Sequence, residues 1–334
     1  MRLVSIRVLV LFGILFLCVL QFLQFLSIEY TDKTLTQESP ARQKHAIATF
    51  VGRRVDMYGL YSIARQAQKT GMVSDGIDVV VGVSKTLLER TPRRGEMDVK
   101  HVLAKWKDEG LIHKLYVFDT DYIINIIRNS GLWGGVFNKL FLFNITEYDK
   151  LIQLDSDVLL RRNIRHWFNY DTPCAIQAND NLEWNSGAMV ITPNQTLFDD
   201  LIAKLPFVKK KGKVNLTEPD NWNSGHGQQG FLSSYFTTGV YPALRMKTMP
   251  TENAVLISSL ERDQYHYFWY WRNHIFDTVH LTVQKPWNGR TKPRSPLVCQ
   301  VLHEWNSSTA GMEHYNMSIS HDYLQNCPNA SAVS

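Results

Sequence analysis

Asp155-Ser156-Asp157 is the sharpest chemical feature of the chain. It closes the apolar run Leu151-Ile152-Gln153-Leu154 and is followed by Val158-Leu159-Leu160. Two carboxylates two positions apart at the end of a strand can reach one divalent cation, directly or through water, and such oxygen donors suit Mn²⁺ or Mg²⁺. A cation held there neutralises a diphosphate and stabilises its charge as it departs. Open α/β sheets bind ligands in the crevice beyond the carboxyl ends of their strands. Taken alone, a D-x-D triplet also fits a solvated turn.

Its neighbours narrow the choice. Asn138-Lys139-Leu140 precedes it, Tyr148-Asp149-Lys150 leads into its strand, and Asn163-Ile164 follows. Three further blocks occur in order: Asp56-Met57-Tyr58 after the first strand, Asn185-Ser186-Gly187-Ala188-Met189-Val190, and His280 with Lys285-Pro286-Trp287 five residues later. Together these resemble the donor-site blocks of the glycogenin-like family 8 glycosyltransferases, over roughly residues 46–287. The resemblance implies a GT-A fold, a UDP-sugar donor, retention of anomeric configuration, and Mn²⁺ held by Asp155, Asp157 and His280. It makes Lys139 and Lys285 partners of the diphosphate, with Lys285 neutralising the leaving group. Tyr58 becomes a uracil-stacking residue, Asn185 and Ser186 line the sugar pocket, and Ser156 joins the donor-binding set. Two carboxylates with a neutral imidazole form a plausible Mn²⁺ set, and lysine is a good point charge for phosphate. Each residue also has a structural reading: His280 a satisfied core histidine, Lys139 a surface helix lysine, Tyr58 a packing residue.

Two positions depart from the family pattern. Val283 stands where the family has glycine, and Gln228-Gln229-Gly230 stands where it often has Asp-Gln-Gly. The second change leaves an amide, Gln228, where an ionisable group would face the reacting carbon. The main expectation is a retaining hexosyltransferase, with Gln228 and Lys285 as its catalytic residues. One alternative is a lumenal relative that binds nucleotide-sugar or glycan without turnover. The other is a metal-dependent nucleotidyl or phosphoryl transferase, although no P-loop is present. Glucose, galactose, N-acetylglucosamine and glucuronic acid all remain open as the transferred sugar.

The elements that must position these residues alternate. Strands are expected at 45–51, 77–83, 114–118, 151–154, 174–178 and 188–192, and helices at 58–68, 99–109, 136–148 and 197–205. Residues 221–230, rich in Gly, Asn and Gln, read as a loop. Ile77 to Val83 is continuously apolar, as a buried parallel strand should be. The pattern predicts an α/β fold with a mostly parallel central sheet flanked by helices.

The chain has 334 residues, of which 44% are hydrophobic and 20% charged, with a formal net charge of +5. That composition is ordinary for a globular domain, and the length suffices for a sizeable core. The positive balance accommodates an anionic donor; the Lys209-Lys210-Lys211 run reads as a solvated face, and no nucleic-acid motif is present. Residues 8–27 carry no charge, are mostly Leu, Val, Ile and Phe, and follow Arg2 and Arg7. Twenty residues of helix span about 30 Å, the thickness of the bilayer core. The expected organisation is a cytoplasmic tail at 1–7, a signal-anchor at 8–27, a polar stem at 28–44 and a lumenal transferase domain at 45–334. This describes a single-pass type II protein of the Golgi or ER membrane. The partners expected are a UDP-sugar, a glycan or glycoconjugate acceptor and, through the anchor, the membrane, but no nucleic acid.

Six N-glycosylation sequons, at Asn144, Asn194, Asn215, Asn306, Asn316 and Asn329, agree with a lumenal domain. Of four cysteines, Cys18 lies in the anchor. Cys174, Cys299 and Cys327 allow one lumenal pair, with Cys299 and Cys327 nearest in sequence.

Overall fold

The computed structural model describes residues 43–127, 134–177, 184–208, 227–237, 245–262, 271–273, 275–282, 285–288 and 295–315, together with 317, 324 and 327. Residues 44–334 belong to one compact unit. The expected tail, the anchor and all but the end of the stem lie outside the described residues, as do Val283, the triple-lysine run and the sequons at Asn215, Asn316 and Asn329. Among the described residues no helix is long and apolar enough to cross a membrane.

The chain opens with β1 (His45–Val51), α1 (Asp56–Lys69), β2 (Asp78–Ser84), α2 (Lys85–Glu89), α3 (Val99–Asp108), β3 (Lys114–Phe118) and α4 (Asp121–Ile127). A 3-10 segment, Gly134–Asn144, leads to β4 (Lys150–Leu154) and β5 (Val158–Leu160). Then come β6 (Cys174–Gln177), β7 (Trp184–Ile191), α5 (Gln195–Lys204), α6 (Gln228–Thr237), β8 (Lys247–Thr248), β9 (Ala254–Leu256), α7 (Ile257–Arg262), β10 (Thr278–His280) and α8 (Pro296–Ser308).

Seven strands form the main sheet in the order β3-β2-β1-β4-β7-β6-β8. Strands β3, β2, β1 and β4 are parallel, and β7 runs against both β4 and β6. The sheet is therefore mixed, with one reversed strand inside the mostly parallel arrangement expected. The reversal places Asn185–Gly187 beside the end of β4, where Asp155 N–H donates to Gly187 O at 2.7 Å.

Alternation in β1 divides the core. Ile47 and Val51 enter the layer with α1 and α3, while Ala46 and Ala48 enter the layer with the 3-10 segment and α5. Helical layers on both faces account for the unbroken burial of β2 from Val79 to Ser84. A second sheet, β5-β10-β9, pairs β10 antiparallel to β5 and sets His280 opposite Val158.

Two expected elements differ. The helix foreseen at 136–148 is a 3-10 segment ending at Asn144. Phe137, Leu140, Phe141, Leu142 and Phe143 are all buried, so the run has no solvated face and packing, rather than amphipathic period, sets its winding. Gln228 to Gly230 is not loop: it opens α6, whose residues from Gly230 to Phe236 are buried. Packing of Phe231, Leu232, Tyr235 and Phe236 into the core overrides the turn signal of the preceding glycines.

Candidate functional site

The D-x-D turn lies where β4 ends and β5 begins. Asp157 is buried and Asp155 partly exposed. The β5–β10 pairing brings His280 alongside, and Leu281 N–H donates to Asp157 O at 2.7 Å. One donor atom from each of Asp155, Asp157 and His280 lies within 4.8 Å of the others.

The imidazole is fixed by its second nitrogen. Gly187 N–H donates to Asn185 Oδ1 at 2.9 Å, which identifies that atom as an acceptor. His280 Nδ1 lies 2.9 Å from the same oxygen and therefore carries the proton. In the neutral ring Nε2 is then a lone pair, and it faces Asp157 Oδ1 at 3.1 Å. Two acceptors facing each other require a proton or a metal cation between them. The donor set of two carboxylates and one imidazole fits a divalent metal ion.

Cations surround the carboxylates. Lys139 Nζ reaches both oxygens of Asp155, at 2.8 and 2.9 Å, and Ser186 O at 3.2 Å. Lys285 Nζ lies 2.7 Å from Asp157 Oδ2. Burial by itself would push the Asp157 carboxyl up, but His280 and Lys285 outweigh it and hold the group well below the usual carboxylate range.

Asp155, Asp157, Lys139 and Lys285 line a cavity of about 140 Å³ with Phe50, Gly52, Arg53, Asp56, Gly135, Val136 and Ser156. Asp56 shapes its rim: Oδ2 accepts from Gly52 N–H at 3.1 Å and Arg53 N–H at 2.8 Å, and Oδ1 lies 3.3 Å from Ser156 Oγ. Two glycines permit the close approaches. A Cβ at Gly59 would lie 1.5 Å from Ser156 O, and one at Gly187 would lie 2.1 Å from His280 Cε1.

Asp155, Ser156, Asp157, Lys139 and Lys285 thus line one cavity, and buried His280 lies beside Asp157 rather than on the cavity wall. Asn185 stands behind His280, and Ser186 is buried with its carbonyl toward Lys139 and Gln153. Tyr58 is not among the cavity-lining residues; it is half-buried between two core clusters, and burial raises its phenol. Gln228 is 1% exposed, and among the described residues neither polar atom of its amide has a hydrogen-bond partner. Gly227, at φ +68°, precedes it and packs on the cavity residue Val136, where an added Cβ would lie 3.0 Å from Val136 Cγ2. Sequence reasoning passed over Phe50, Gly52 and Arg53, which sit at a strand end with no motif of their own. Asp56 stood inside a quoted block but received no role.

No family model matches the chain. It is 33% identical over 113 residues to inositol phosphorylceramide glucuronosyltransferase 1 of Arabidopsis thaliana, covering 34% of this chain and 18% of that protein. It is 34% identical over 122 residues to putative UDP-glucuronate:xylan alpha-glucuronosyltransferase 5 of the same plant, covering 36% and 19%. The matches thus span about a fifth of the length of these curated relatives. The apo structure of the bifunctional glycosyltransferase WbbM superimposes with a TM-score of 0.53 over 87% of this chain and 53% of that one, at 12% identity. The fold is GT-A-like, that of nucleotide-sugar glycosyltransferases, with a mixed sheet and flanking helices. Both sequence relatives are glucuronosyltransferases by name, and the superimposed structure is a glycosyltransferase.

Proposed function

We propose that the chain is a metal-dependent, retaining glycosyltransferase that takes a UDP-sugar, with UDP-glucuronate the first donor to test, and glycosylates a glycan or glycoconjugate. The observation that carries this reading is that Asp155, Asp157, Lys139 and Lys285 line one cavity at the carboxyl end of the sheet, with a donor atom of His280 within 4.8 Å of donor atoms of both aspartates. Glucuronate is put first because both relatives named above are glucuronosyltransferases.

Asp155, Asp157 and His280 would hold the ion, which when bound supplies Lewis-acid neutralisation of the diphosphate. Lys139 and Lys285, now paired with the two aspartates, offer ammonium groups to the phosphates. Gln228 is an amide and a poor nucleophile, so this position does not serve a double displacement. In a same-face reaction the acceptor oxygen bonds to the anomeric carbon as the carbon–diphosphate bond breaks. The acceptor's proton passes to the departing diphosphate oxygen, and Lys285 stabilises the charge left there. The buried amide of Gln228, without a hydrogen-bond partner among the described residues, would face the donor sugar.

A lumenal location with an N-terminal anchor fits the sequons and the Cys299–Cys327 disulfide, whose Cα atoms are 5.4 Å apart. Among the sequons, Asn194 is exposed and N-caps α5 through Leu197 N–H.

Hydrolysis of UDP-glucuronate, UDP-glucose and UDP-galactose, with and without Mn²⁺, is the direct test. Asp155→Asn and Asp157→Asn should each weaken Mn²⁺-dependent UDP binding by at least ~10-fold. Unchanged affinity in both variants would reduce the D-x-D to a turn. UDP binding without turnover of any donor would support an inactive relative, the reading that Gln228 favours. Release of UMP instead of UDP would indicate phosphoryl or nucleotidyl transfer.

A further inference from the structure

A second cavity, about 460 Å³, lies between α1 and the end of α8. Arg65, Gln66, Gln68 and Lys69 of α1 line one side, and Ser307 and Ser308 of α8 line the other. It shares no residue with the donor cavity. Asp56, the first residue of α1, lines the donor cavity, whereas Arg65 and Lys69 follow roughly 14 and 20 Å further along the helix axis. The two walls are tied together. Ser62 Oγ is hydrogen-bonded to Ser308 Oγ, and Tyr61 Oη donates to Ala310 O at 3.2 Å. Gly311 follows at φ +95°, where a Cβ would lie 3.0 Å from the same Tyr61 oxygen, so this close approach needs glycine.

Charge and hydrogen bonding in this cavity are unbalanced. Among the described residues neither Arg65 nor Lys69 forms an ion pair, and the side chain of Gln66, 9% exposed, has no hydrogen-bond partner. Glu109, beside Gly110, is already held by Tyr315 Oη at 2.5 Å and Lys105 at 3.9 Å. Lys69 stands in the last turn of α1, where a cation suits the helix dipole. Arg65 stands a turn earlier without that reason, four positions from Lys69 on the same face, and like charges so spaced repel. An anion between them converts the repulsion into attraction, and a guanidinium fork beside an ammonium fits a carboxylate or a phosphate. Groups for hydroxyls stand alongside. The Gln66 amide offers donors and an acceptor. Ser307 Oγ, which donates to His303 O at 3.0 Å, and Gln68, whose Nε2 donates to Gly110 O at 3.2 Å, both keep an acceptor oxygen. We propose that this cavity is a second saccharide site, remote from the donor, that binds a sugar bearing a carboxylate or phosphate. The choice of a sugar as the carrier of the anion rests on the glycosyltransferase reading.

Ligand-observed NMR titration of the full chain at low salt tests it, with glucuronic acid, glucose 6-phosphate and glucose as ligands. At least one acidic sugar should bind about 10-fold more tightly than glucose, and which one does so tells carboxylate from phosphate. Its binding should persist when UDP and Mg²⁺ are present at saturation. Arg65→Gln and Lys69→Gln should each weaken it about 10-fold. Gln66→Glu, nearly isosteric, should abolish it by supplying an anion from the protein itself. All these variants should keep wild-type UDP affinity within about twofold, because the two cavities are well separated. Glucose binding as tightly as both acids would overturn the proposal, as would displacement of the acidic sugar by UDP. So would wild-type affinity in Arg65→Gln and Gln66→Glu, or a wild-type chain that binds neither acid. In that last case turnover of a UDP-sugar would leave the glycosyltransferase reading intact. A chain that holds an acidic sugar here but neither binds nor turns over a UDP-sugar would sink that reading and leave this site standing.

Discussion

Asn185 Oδ1 accepts from His280 Nδ1 at 2.9 Å and, by fixing the tautomer, turns Nε2 toward Asp157. The same oxygen accepts from Gly187 N–H, so the strand that carries Asn185 and the strand that carries His280 are locked at the edge where Asp155, Asp157 and His280 meet. Partners of this kind orient a ligand without touching the ion, and their loss typically costs 10–100-fold in metal affinity. Asn185→Ala should therefore weaken Mn²⁺ binding by about 10- to 100-fold while the melting temperature changes little. Manganese titration followed by electron paramagnetic resonance reads the affinity. Wild-type affinity in the variant would show that the tautomer is fixed by other means.

Gly187 and Gly59 are held small by the site, one against the His280 ring and the other against the Ser156 carbonyl. Contacts this close require something to shift when a methyl is added. Gly187→Ala should displace the imidazole and lower Mn²⁺ affinity at least ~10-fold. Gly59→Ala should drive α1 away from the D-x-D turn and cost about 1–3 kcal/mol of stability, as overpacking does. Metal titration and urea denaturation separate the two effects. Alanine tolerated at both positions with native affinity would contradict the packing described.

Gln228→Ala should lower kcat by about 10- to 100-fold, equivalent to roughly 1.4–2.7 kcal/mol of barrier. The amide is buried and has no hydrogen-bond partner among the described residues, and the proposed mechanism supplies one in the donor sugar. Proton NMR at early times should show the donor's anomeric configuration retained in the product. An inverted product would refute the family resemblance, and wild-type turnover in the variant would remove Gln228 from the mechanism.

Cys299 and Cys327 close a loop across a sequence separation of 28. A cross-link of that length stabilises by about 3–4 kcal/mol in the chain-entropy account. The double variant Cys299→Ser/Cys327→Ser should lose most of that in urea denaturation and no longer respond to reductant. Equal midpoints for wild type with and without dithiothreitol would show that the disulfide contributes little.

Asp277 gives the fold a pH dependence of definite sign. Burial pushes its carboxyl up, against the opposing hydrogen bond from Trp167 and the charges of His166 and Arg162. The folded state therefore binds this proton more readily than the unfolded chain. The stabilisation is fully present below the ordinary carboxylate pKa of about 4 and is lost as pH rises through the higher folded value. Asp277→Asn keeps an acceptor for Trp167 Nε1, 2.9 Å away, but does not titrate. Relative to wild type, the variant should gain stability as pH rises across that window. Denaturant midpoints measured in parallel between about pH 3 and 7 would show a constant difference if Asp277 were unperturbed.

The α/β alternation, the strands at β1 and β3 and the D-x-D at a strand end were legible because each depends on local pattern. Unbroken apolar runs bounded by polar residues define buried strands, and two carboxylates two residues apart stay together in any conformation of the turn. The blocks at Asp155, Asn185, His280 and Lys285 could be recognised as motifs, but their meeting could not. His280 lies far from Asp157 in sequence and reaches it only through the antiparallel register of β10 on β5. The reversal of β7, the 3-10 winding of Gly134–Asn144 and the burial of Gln228 in α6 were equally beyond local reading, because strand pairing and packing against other segments set them. Phe50 shows the limit most clearly. Nothing in its neighbourhood marks it, and its place on the cavity wall depends on Gly82 in the next strand and Phe118 in the one beyond. Residue types and short spacings determined what chemistry this chain can perform; long-range pairing and packing decided which residues stand close enough to perform it.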